Sequence, residues 1–457
     1  MLDSWHQFLF SIQSMTVILL PILSFLSGWG ILTLPSSYAK RLLPPVLLGA
    51  FIAFRRQNEF SSNRLLNELF GRLMMLWMMY MPFLVYIKGY DGESHRLFGS
   101  QHKHAPSSWP SLAKSSARRA LWRSAISVLS DIFFTFNARK ACALKMLFNG
   151  RGINTAWQVH ALPSPRSSMT LSPASHINPC LPLTVRWQFV SRRSIALLTK
   201  LIIWLIWSHY SPYLVLARES DYLPEKQILL RRLLLNTSSR LLGTPNPYFL
   251  HPVTIHEIKM RIWIVADNNI QSIVILKGFH DICALLFVGL GFDVPDEWPP
   301  FFGSIQHAFT VRGYWSGFWH LLMHRGLSAY ATLVLHHVLR IRRRSLFSRL
   351  VHGLLVFLIS GFCHAVMHNY TMPGCNKMPV IIFYALQPVA LTIEAVVQII
   401  WKTWRSRHLD SFPKTKSEGV MLHSIGYLWV ILWFTWSEPK SILAVNFELS
   451  QRWARGN

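Results

Sequence analysis

Two histidines combine residue type and setting in a way that could support chemistry inside a membrane. His364 closes the apolar run Phe357-Leu-Ile-Ser-Gly-Phe-Cys-His364, and His320 closes the aromatic run Tyr314-Trp-Ser-Gly-Phe-Trp-His320. An ionisable group within a long apolar run is costly, so by default it marks a functional site or is held by a partner. The tryptophans before His320 suit a boundary between membrane and water. Together the two runs indicate chemistry at or within a bilayer.

A histidine in such a setting could act as a general base. Neutral imidazole has a pKa close to the working pH, so it can take the proton of an alcohol that attacks a thioester. A second polar side chain would then hold the carbonyl oxygen and stabilise the negative charge that develops on it. The candidate site consists of His364 and His320 as catalytic residues and of Trp315, Trp319, Ser360 and Gly361 as substrate-binding residues.

Iron chemistry is the first alternative. His320-x3-His324, His336-His337 and His364-x3-His368 could be ligands of an iron centre, as in membrane desaturases and hydroxylases. Those enzymes also need His-x2-His-His boxes, and the sequence contains none. The second alternative is that these are ordinary packed histidines, since the chain has 20 of them. That interpretation is weaker for His364, because the small residues one turn upstream permit a close helix or a ligand.

The composition is typical of an integral membrane protein. Of the 457 residues, 51% are hydrophobic and 14% are charged, whereas soluble proteins average about 25% charged residues. The formal net charge of +26 could suggest a nucleic-acid partner. However, the basic clusters lie between apolar runs, as the positive-inside rule expects, and no nucleic-acid-binding signature accompanies them. We therefore predict a bilayer environment and no nucleic-acid partner.

Apolar runs of spanning length predict an all-α membrane fold. A core of about 30 Å requires about 20 helical residues. The longer runs are Met15–Pro35, Phe70–Ile87, Ile270–Phe292, Leu350–His368, Met378–Trp401 and Val420–Trp436. Shorter or interrupted runs are Leu42–Phe54, Ile195–Trp207 and Gly326–Leu339. The sequence therefore predicts a multi-pass bundle of roughly seven to nine transmembrane helices.

A basic stretch divides the chain into three parts. Between His95 and Ser194, 14 Lys and Arg residues accompany a single acidic residue, Asp131. Such a segment is typical of an extramembrane connection, and part of it is expected to be disordered. We predict N-terminal transmembrane helices in residues 1–92, the basic connection in residues 93–194, and a core that contains the candidate site in residues 195–457.

Four blocks follow one another in the chain: Leu147–Pro163 with Arg-Gly-Ile, Glu297–His320 with Trp-Pro-Pro and Phe-Trp-His, Phe357–His364 with Ser-Gly-x-x-His, and Phe434–Lys440. In these blocks and in their order, the chain resembles the wax-synthase-like branch of the membrane-bound O-acyltransferases. More narrowly, it resembles the fungal acetyltransferases that act on terpenoid and meroterpenoid secondary metabolites. Each block alone is weak, whereas the ordered set is fairly specific.

The resemblance implies roles for the candidate residues. His364 matches the family's intramembrane histidine, its catalytic base, and His320 matches the polar residue that closes the Trp-rich motif. The helices would surround a buried reaction tunnel that acyl-CoA enters from the cytosolic side, with acetyl-CoA as co-substrate. No metal, no other permanent cofactor and no covalent acyl-enzyme are implied. Basic side chains would attract the phosphates of coenzyme A, with Arg312, Arg325 and Arg342 as candidates.

The expected function is therefore O-acetyl transfer from acetyl-CoA to a hydroxyl group of a hydrophobic acceptor such as a terpenoid, in the endoplasmic reticulum membrane. A long-chain alcohol as acceptor, which would make the protein a wax synthase, is the alternative within the same class. An iron oxygenase and a non-catalytic membrane transporter are the alternatives from other classes.

Overall fold

Helices make up every regular element of the described chain. The computed structural model describes residues 19–61, 64–90, 138–242 except 154, 156 and 160–182, and 251–454 except 344, 372–373 and 409–415. No strand occurs within these residues. The longer helices are Ser36–Arg55, Arg64–Pro82, Ala138–Phe148, Leu183–Tyr210, Leu229–Leu242, Ile255–Gly289, His324–Leu333, Leu346–Thr371, Met378–His408, Lys416–Ser437 and Pro439–Ala454. The predicted all-α class is confirmed.

Five helical segments of the described chain are long and apolar enough to cross a membrane. They are Leu66–Ile87, Ile255–Gly289, Leu346–His368, Met378–His408 and Ser417–Glu448. Each overlaps one of the longer runs predicted from the sequence. The remaining long run, Met15–Pro35, contributes a shorter apolar helix, Leu19–Leu32. These helices confirm the prediction of a multi-pass membrane protein.

The Met378–His408 helix shows how a spanning helix divides its two faces. Its exposed large residues include Ile382, Val389, Ile393, Val396 and Ile400. Its buried residues are Val380, Gln387, Ala390 and Glu394. Both sets recur at spacings of three, four or seven residues, which is the repeat of one helix face. One face is therefore apolar and suited to lipid, whereas the buried face carries two polar side chains.

The chain divides into two compact units. The first comprises Met1–Arg186, Phe287–Glu297 and Leu322–Ala329, and the second comprises Trp187–Leu286, Trp298–Leu321 and Tyr330–Asn457. All six candidate site residues belong to the second unit. One continuous helix, Leu183–Tyr210, runs through the boundary at residue 194 that the sequence suggests. Residues 93–137, 154, 156 and 160–182 of the predicted basic connection lie outside the described residues.

In the first unit, a hydrogen-bonded turn forms the described part of the first block. The Asn149 side chain accepts from the backbone N–H of Ile153 at 2.7 Å and donates to the carbonyl oxygen of the same residue at 2.8 Å. The hydroxyl of Tyr80 donates to the carbonyl oxygen of Asn149 at 2.8 Å. The asparagine of this block therefore stabilises a loop. Residues 154, 156 and 160–163 of the block lie outside the described residues.

A buried ion cluster joins two parts of the same unit. Lys145 Nζ lies 3.1 Å from a carboxylate oxygen of Asp293 and also pairs with Glu297, with which the second block begins. Burial raises the pKa of the Asp293 carboxyl to about 6, although the ammonium group of Lys145 opposes this shift. The Ala138–Phe148 helix is thus bonded to the start of the second block.

Candidate active site

His364 lies in the Leu346–Thr371 helix and stacks on Tyr384 of the Met378–His408 helix. The two ring centroids are 4.8 Å apart, and the ring planes differ by 15°. Gly361 precedes His364 by one turn, and a Cβ atom there would lie 2.9 Å from Cβ of Tyr384. Because a glycine leaves this space open, the helices approach closely enough for the two rings to stack. The small residue predicted at this position therefore accommodates a neighbouring aromatic residue.

Replacing Gly361 with alanine is expected to separate these helices locally. The added methyl group would overlap Tyr384, and overpacking of this kind typically costs about 1–3 kcal/mol. We expect a lower unfolding temperature of the detergent-solubilised protein and reduced activity. Gly353→Ala is the matched control, because a Cβ atom at this position of the same helix meets nothing within 4 Å. Equal unfolding temperatures for the two variants would contradict the proposed role of Gly361.

A continuous series of ring contacts connects the two candidate histidines. The Tyr384 ring centroid lies 6.4 Å from that of Trp315, which lies 6.1 Å from that of Trp319. The Trp319 centroid in turn lies 5.4 Å from that of His320. His364 and His320 therefore belong to the same unit and are linked by ring contacts through Tyr384 and both candidate tryptophans. Ser360 directly precedes the glycine that makes the first contact of the series possible.

Aromatic side chains from the start of the second block surround His320. Its ring stacks on Phe301 with centroids 5.8 Å apart, and it meets Phe302 edge to face at 5.9 Å. A Cβ atom on Gly303 would lie 1.8 Å from the carbonyl oxygen of Gly317, so the two backbone segments touch there. This close approach packs the Phe-Phe-Gly element, residues 301–303, against the Trp-rich element, residues 314–320. The aromatic side chains of the two elements form a wall around His320.

Gln387 fixes the orientation of Trp315. It is fully buried, and its Oε1 accepts from the indole N–H of Trp315 at 3.1 Å and of Trp433 at 3.2 Å. Its Nε2 donates to the carbonyl oxygen of Phe383 at 2.8 Å. A buried amide bonded on both sides holds its partners in one arrangement. Sequence reasoning missed this residue, although an amide inside an apolar run was a visible signal.

Glu394 anchors the beginning of the Trp-rich element. Its carboxylate accepts from the backbone N–H groups of Val311 and Arg312, the latter at 3.1 Å, and from the indole N–H of Trp429 at 2.9 Å. The first N–H groups of a helical segment lack partners within that segment, and they attract negative charge. This carboxylate therefore fixes the point from which the segment leads into Trp315. It is also an acid inside a predicted span that sequence reasoning passed over.

The fourth block packs against the same Trp-rich element. The carboxylate of Glu438 accepts from the side-chain amide of Asn268, and the hydroxyl of Tyr314 donates to Oδ1 of Asn269 at 2.5 Å. The rings of Tyr314 and Phe434 lie 4.5 Å apart. The second and fourth blocks are thus tied together through neighbouring asparagines of the Ile255–Gly289 helix, which the sequence analysis did not single out.

The histidine boxes do not assemble a metal site in the described part of the chain. No three His, Cys, Asp or Glu residues there form a group that could hold a metal ion. Nδ1 of His336 instead lies 2.9 Å from the carbonyl oxygen of Ile341. The arrangement of these side chains therefore gives the iron alternative no support.

The three arginines predicted to contact coenzyme A belong to different units, Arg325 to the first and Arg312 and Arg342 to the second. The guanidinium of Arg325 donates to the carbonyl oxygen of Gln158, at 2.6 Å, within the first unit. Arg312 and Arg342 are exposed side chains.

Residues 298–386 match the model of the membrane bound O-acyl transferase family. This segment contains both candidate histidines and the Trp-rich element. The predicted relationship to this family is confirmed.

Proteins named as acetyltransferases in fungi are similar over longer segments. Acetyltransferase TRI7 of Fusarium sporotrichioides is 31% identical over 164 residues, which are 35% of this chain and 36% of that protein. Acetyltransferase spyB of Aspergillus fumigatus is 26% identical over 298 residues, 63% of this chain and 45% of that protein. Acetyltransferase pyr8 of the same species is 26% identical over 306 residues, 66% of this chain and 63% of that protein. The matches thus span less than two thirds of each relative. No solved structure matches the chain.

Proposed function

Because residues 298–386 of this chain are a membrane bound O-acyl transferase segment, we propose that the protein transfers an acetyl group from acetyl-CoA to a hydroxyl group of a hydrophobic acceptor. The observation that carries the proposal is the series of ring contacts between His364 and His320. It links the two histidines through aromatic side chains, and we expect these apolar surroundings to suit a lipophilic alcohol and a thioester. The names of the fungal relatives support an acetyl group as the one transferred.

In the proposed reaction, His364 is the general base. Its imidazole takes the hydroxyl proton of the acceptor while the oxygen attacks the thioester carbonyl. His320 donates a hydrogen bond to the carbonyl oxygen as negative charge develops there. When the tetrahedral intermediate collapses, the carbon–sulfur bond breaks and the protonated His364 returns the proton to the thiolate. The products are an acetate ester and free coenzyme A, with no net change in the enzyme.

The remaining candidate residues would orient the reacting groups rather than transfer protons. Stacking on Tyr384 would fix the plane of the His364 imidazole, and the contact at Gly361 makes this stacking possible. The indole N–H of Trp315 is already bonded to Gln387, so the ring face rather than the N–H would contact the acceptor. Trp319 and Ser360 would line the proposed reaction tunnel, beside His320 and Gly361 respectively.

The acceptor and the membrane setting are part of the proposal. A polycyclic terpenoid alcohol fits the resemblance to acetyltransferases of fungal secondary metabolism, and the endoplasmic reticulum is the proposed membrane. Beyond the five candidate spans, we propose seven to nine helices around a tunnel, with residues 1–92 in N-terminal helices, residues 93–194 in the connection and residues 195–457 in the acyltransferase core.

Microsomes that contain the protein should transfer label from acetyl-CoA to a lipophilic product. The assay offers labelled acetyl-CoA with a panel of terpenoid alcohols and, in parallel, long-chain alcohols. We expect label in an ester of one or more terpenoids and none in control microsomes. Label only in long-chain esters would favour the wax synthase alternative, and no transfer to any alcohol would contradict the proposed activity.

The activity is expected to be independent of metal. Ester formation by the proposed route needs neither iron nor a reductant, whereas a His-box oxygenase needs both. Purified protein treated with a strong chelator under nitrogen should retain its rate of acetyl transfer. Loss of this activity followed by recovery with ferrous iron would overturn the assignment.

A further inference from the structure

A cluster of charged side chains lies between two helices of the second unit, outside the ring series. Asp281 of the Ile255–Gly289 helix is fully buried. Its carboxylate lies 2.9 Å from Nε of Arg193 and 2.9 Å from Nζ of Lys200, both on the Leu183–Tyr210 helix. Nζ of Lys277, one turn before Asp281, lies 3.4 Å from the same carboxylate. In these ion pairs, three cationic side chains surround the carboxylate of Asp281.

The positive charge of this cluster exceeds its negative charge. Lys277 faces the cations Lys200 and Arg193 as well as Asp281. The neighbouring His280 places Nδ1 3.2 Å from the Arg193 guanidinium. Uncompensated charge that is partly buried is costly, and Lys277 and Asp281 lie in a candidate membrane span, where ionisable groups mark a functional site by default. The cluster therefore favours an additional anion.

The cations of the cluster remain within reach of a ligand. The side chains of Arg193, Lys200 and Lys277 are 16%, 23% and 24% exposed, whereas that of Asp281 is 0% exposed. The carboxylate is thus enclosed, and it holds the two ammonium groups and the guanidinium close together. Lysine ammonium groups and arginine guanidinium groups are the side chains that most often bind phosphate.

The cluster is connected to the second block and, through it, to His320. The His280 ring lies 5.2 Å from Trp298 and 5.0 Å from Phe301, measured between ring centroids. Phe301 stacks on His320 at 5.8 Å, so two ring contacts separate the cluster from the candidate active site. The guanidinium of Arg193 also donates to the carbonyl oxygen of Trp298 at 3.5 Å.

We propose that Arg193, Lys200 and Lys277 form a phosphate-binding site for the anionic end of the acyl donor. The proposal rests on the proposed function, in which acetyl-CoA is the donor. In coenzyme A, a neutral pantetheine arm separates the thioester from the phosphates. A phosphate site for this donor must therefore be near the reacting carbonyl but distinct from it, and it must be cationic. The cluster meets these requirements, with the rings of Phe301 and His280 as the wall along which the arm lies.

The test compares two donors that differ in their phosphates. Acetyl-CoA carries them, whereas acetyl-pantetheine has the same thioester and no phosphate. For Lys200→Gln and Lys277→Gln, we expect the ratio of kcat/KM for acetyl-CoA to kcat/KM for acetyl-pantetheine to fall about tenfold or more, as for the loss of one charge-assisted hydrogen bond. Lys200→Arg and Lys277→Arg keep the charge, so their ratio should stay close to that of wild type. Lys259→Gln is the matched control, because Lys259 is an exposed lysine of the same Ile255–Gly289 helix.

An unchanged ratio in both glutamine variants would overturn the proposal. A phospholipid headgroup is the other source of phosphate, and nanodiscs of phosphatidylcholine with or without phosphatidylglycerol distinguish it. If the variants lose activity equally with both donors and only in the anionic nanodiscs, the site binds lipid and the donor assignment is wrong. Gel filtration of each variant in detergent verifies folding.

If the proposed acetyl transfer is itself wrong, the two donors give a different result. Wild-type protein would then transfer no acetyl group from either donor to any alcohol. Equilibrium binding of labelled coenzyme A still tests the site in that case. Binding by wild type that falls about tenfold or more in the glutamine variants, but not in Lys259→Gln, would support the site. Equal binding by all of these proteins, or no binding by wild type, would contradict it.

Discussion

Replacing His364 with alanine is expected to lower the rate of acetyl transfer by about 10²–10⁴-fold, the usual cost of losing a general base. The side chain is half-buried against Tyr384, so its removal should leave membrane insertion and protein level near those of wild type. The rate is measured with labelled acetyl-CoA and a saturating terpenoid acceptor, and it is normalised to the amount of protein in the membrane.

A second histidine of the same helix provides the control. His352 lies three turns upstream, where Nε2 is 3.4 Å from the hydroxyl of Thr332, and it makes no contact that the ring series requires. His352→Ala should therefore keep most of the wild-type rate. Retention of more than about a tenth of the wild-type rate by His364→Ala would be incompatible with its role as the base.

Replacing His320 with leucine should lower the rate by about 10²–10³-fold, because one donor to the developing oxyanion is lost. Asparagine at this position keeps a side-chain donor of similar reach, so His320→Asn should retain more activity than His320→Leu. Both variants should fold, since the surrounding wall of Phe301, Phe302 and Trp319 is unchanged. The measurement is kcat for acetyl transfer with each purified variant.

Equal kcat values for wild type, His320→Asn and His320→Leu would contradict the proposed donor role. His320 would then be a packed histidine at the edge of an aromatic cluster. A large change in KM with little change in kcat would assign it to substrate binding instead, because oxyanion stabilisation acts mainly in the transition state.

The sequence correctly predicted the helices whose bounds depend mainly on hydrophobicity. The run Met378–Trp401 lies within the observed Met378–His408 span, whereas the helix predicted to begin at Ile270 begins at Ile255. Its first turns contain Glu257, Arg261 and Asn268, which form ion pairs or hydrogen bonds with other segments. An apolar window excludes such residues, so the helix start could not be predicted from hydrophobicity alone.

The candidate site could be predicted only in part, for a related reason. His364 and His320 stand out as ionisable groups beside apolar or aromatic runs. Gln387 and Glu394 gave a similar signal, seven residues apart on one face of a span, and could have been found by the same argument. Tyr384 gave no such signal, because its role depends on which helix packs against Gly361. That pairing is a tertiary contact that periodicity does not specify.

The most direct measurement of the central claim follows both products of the reaction in one experiment. Purified wild-type protein and His364→Ala are each given labelled acetyl-CoA and an accepted terpenoid alcohol, and free thiol and labelled ester are quantified over time. The proposed reaction predicts equal amounts of thiol and ester from wild type and neither above background from His364→Ala. Thiol release without ester, or ester formed at the same rate by both proteins, would contradict acetyl transfer with His364 as the base.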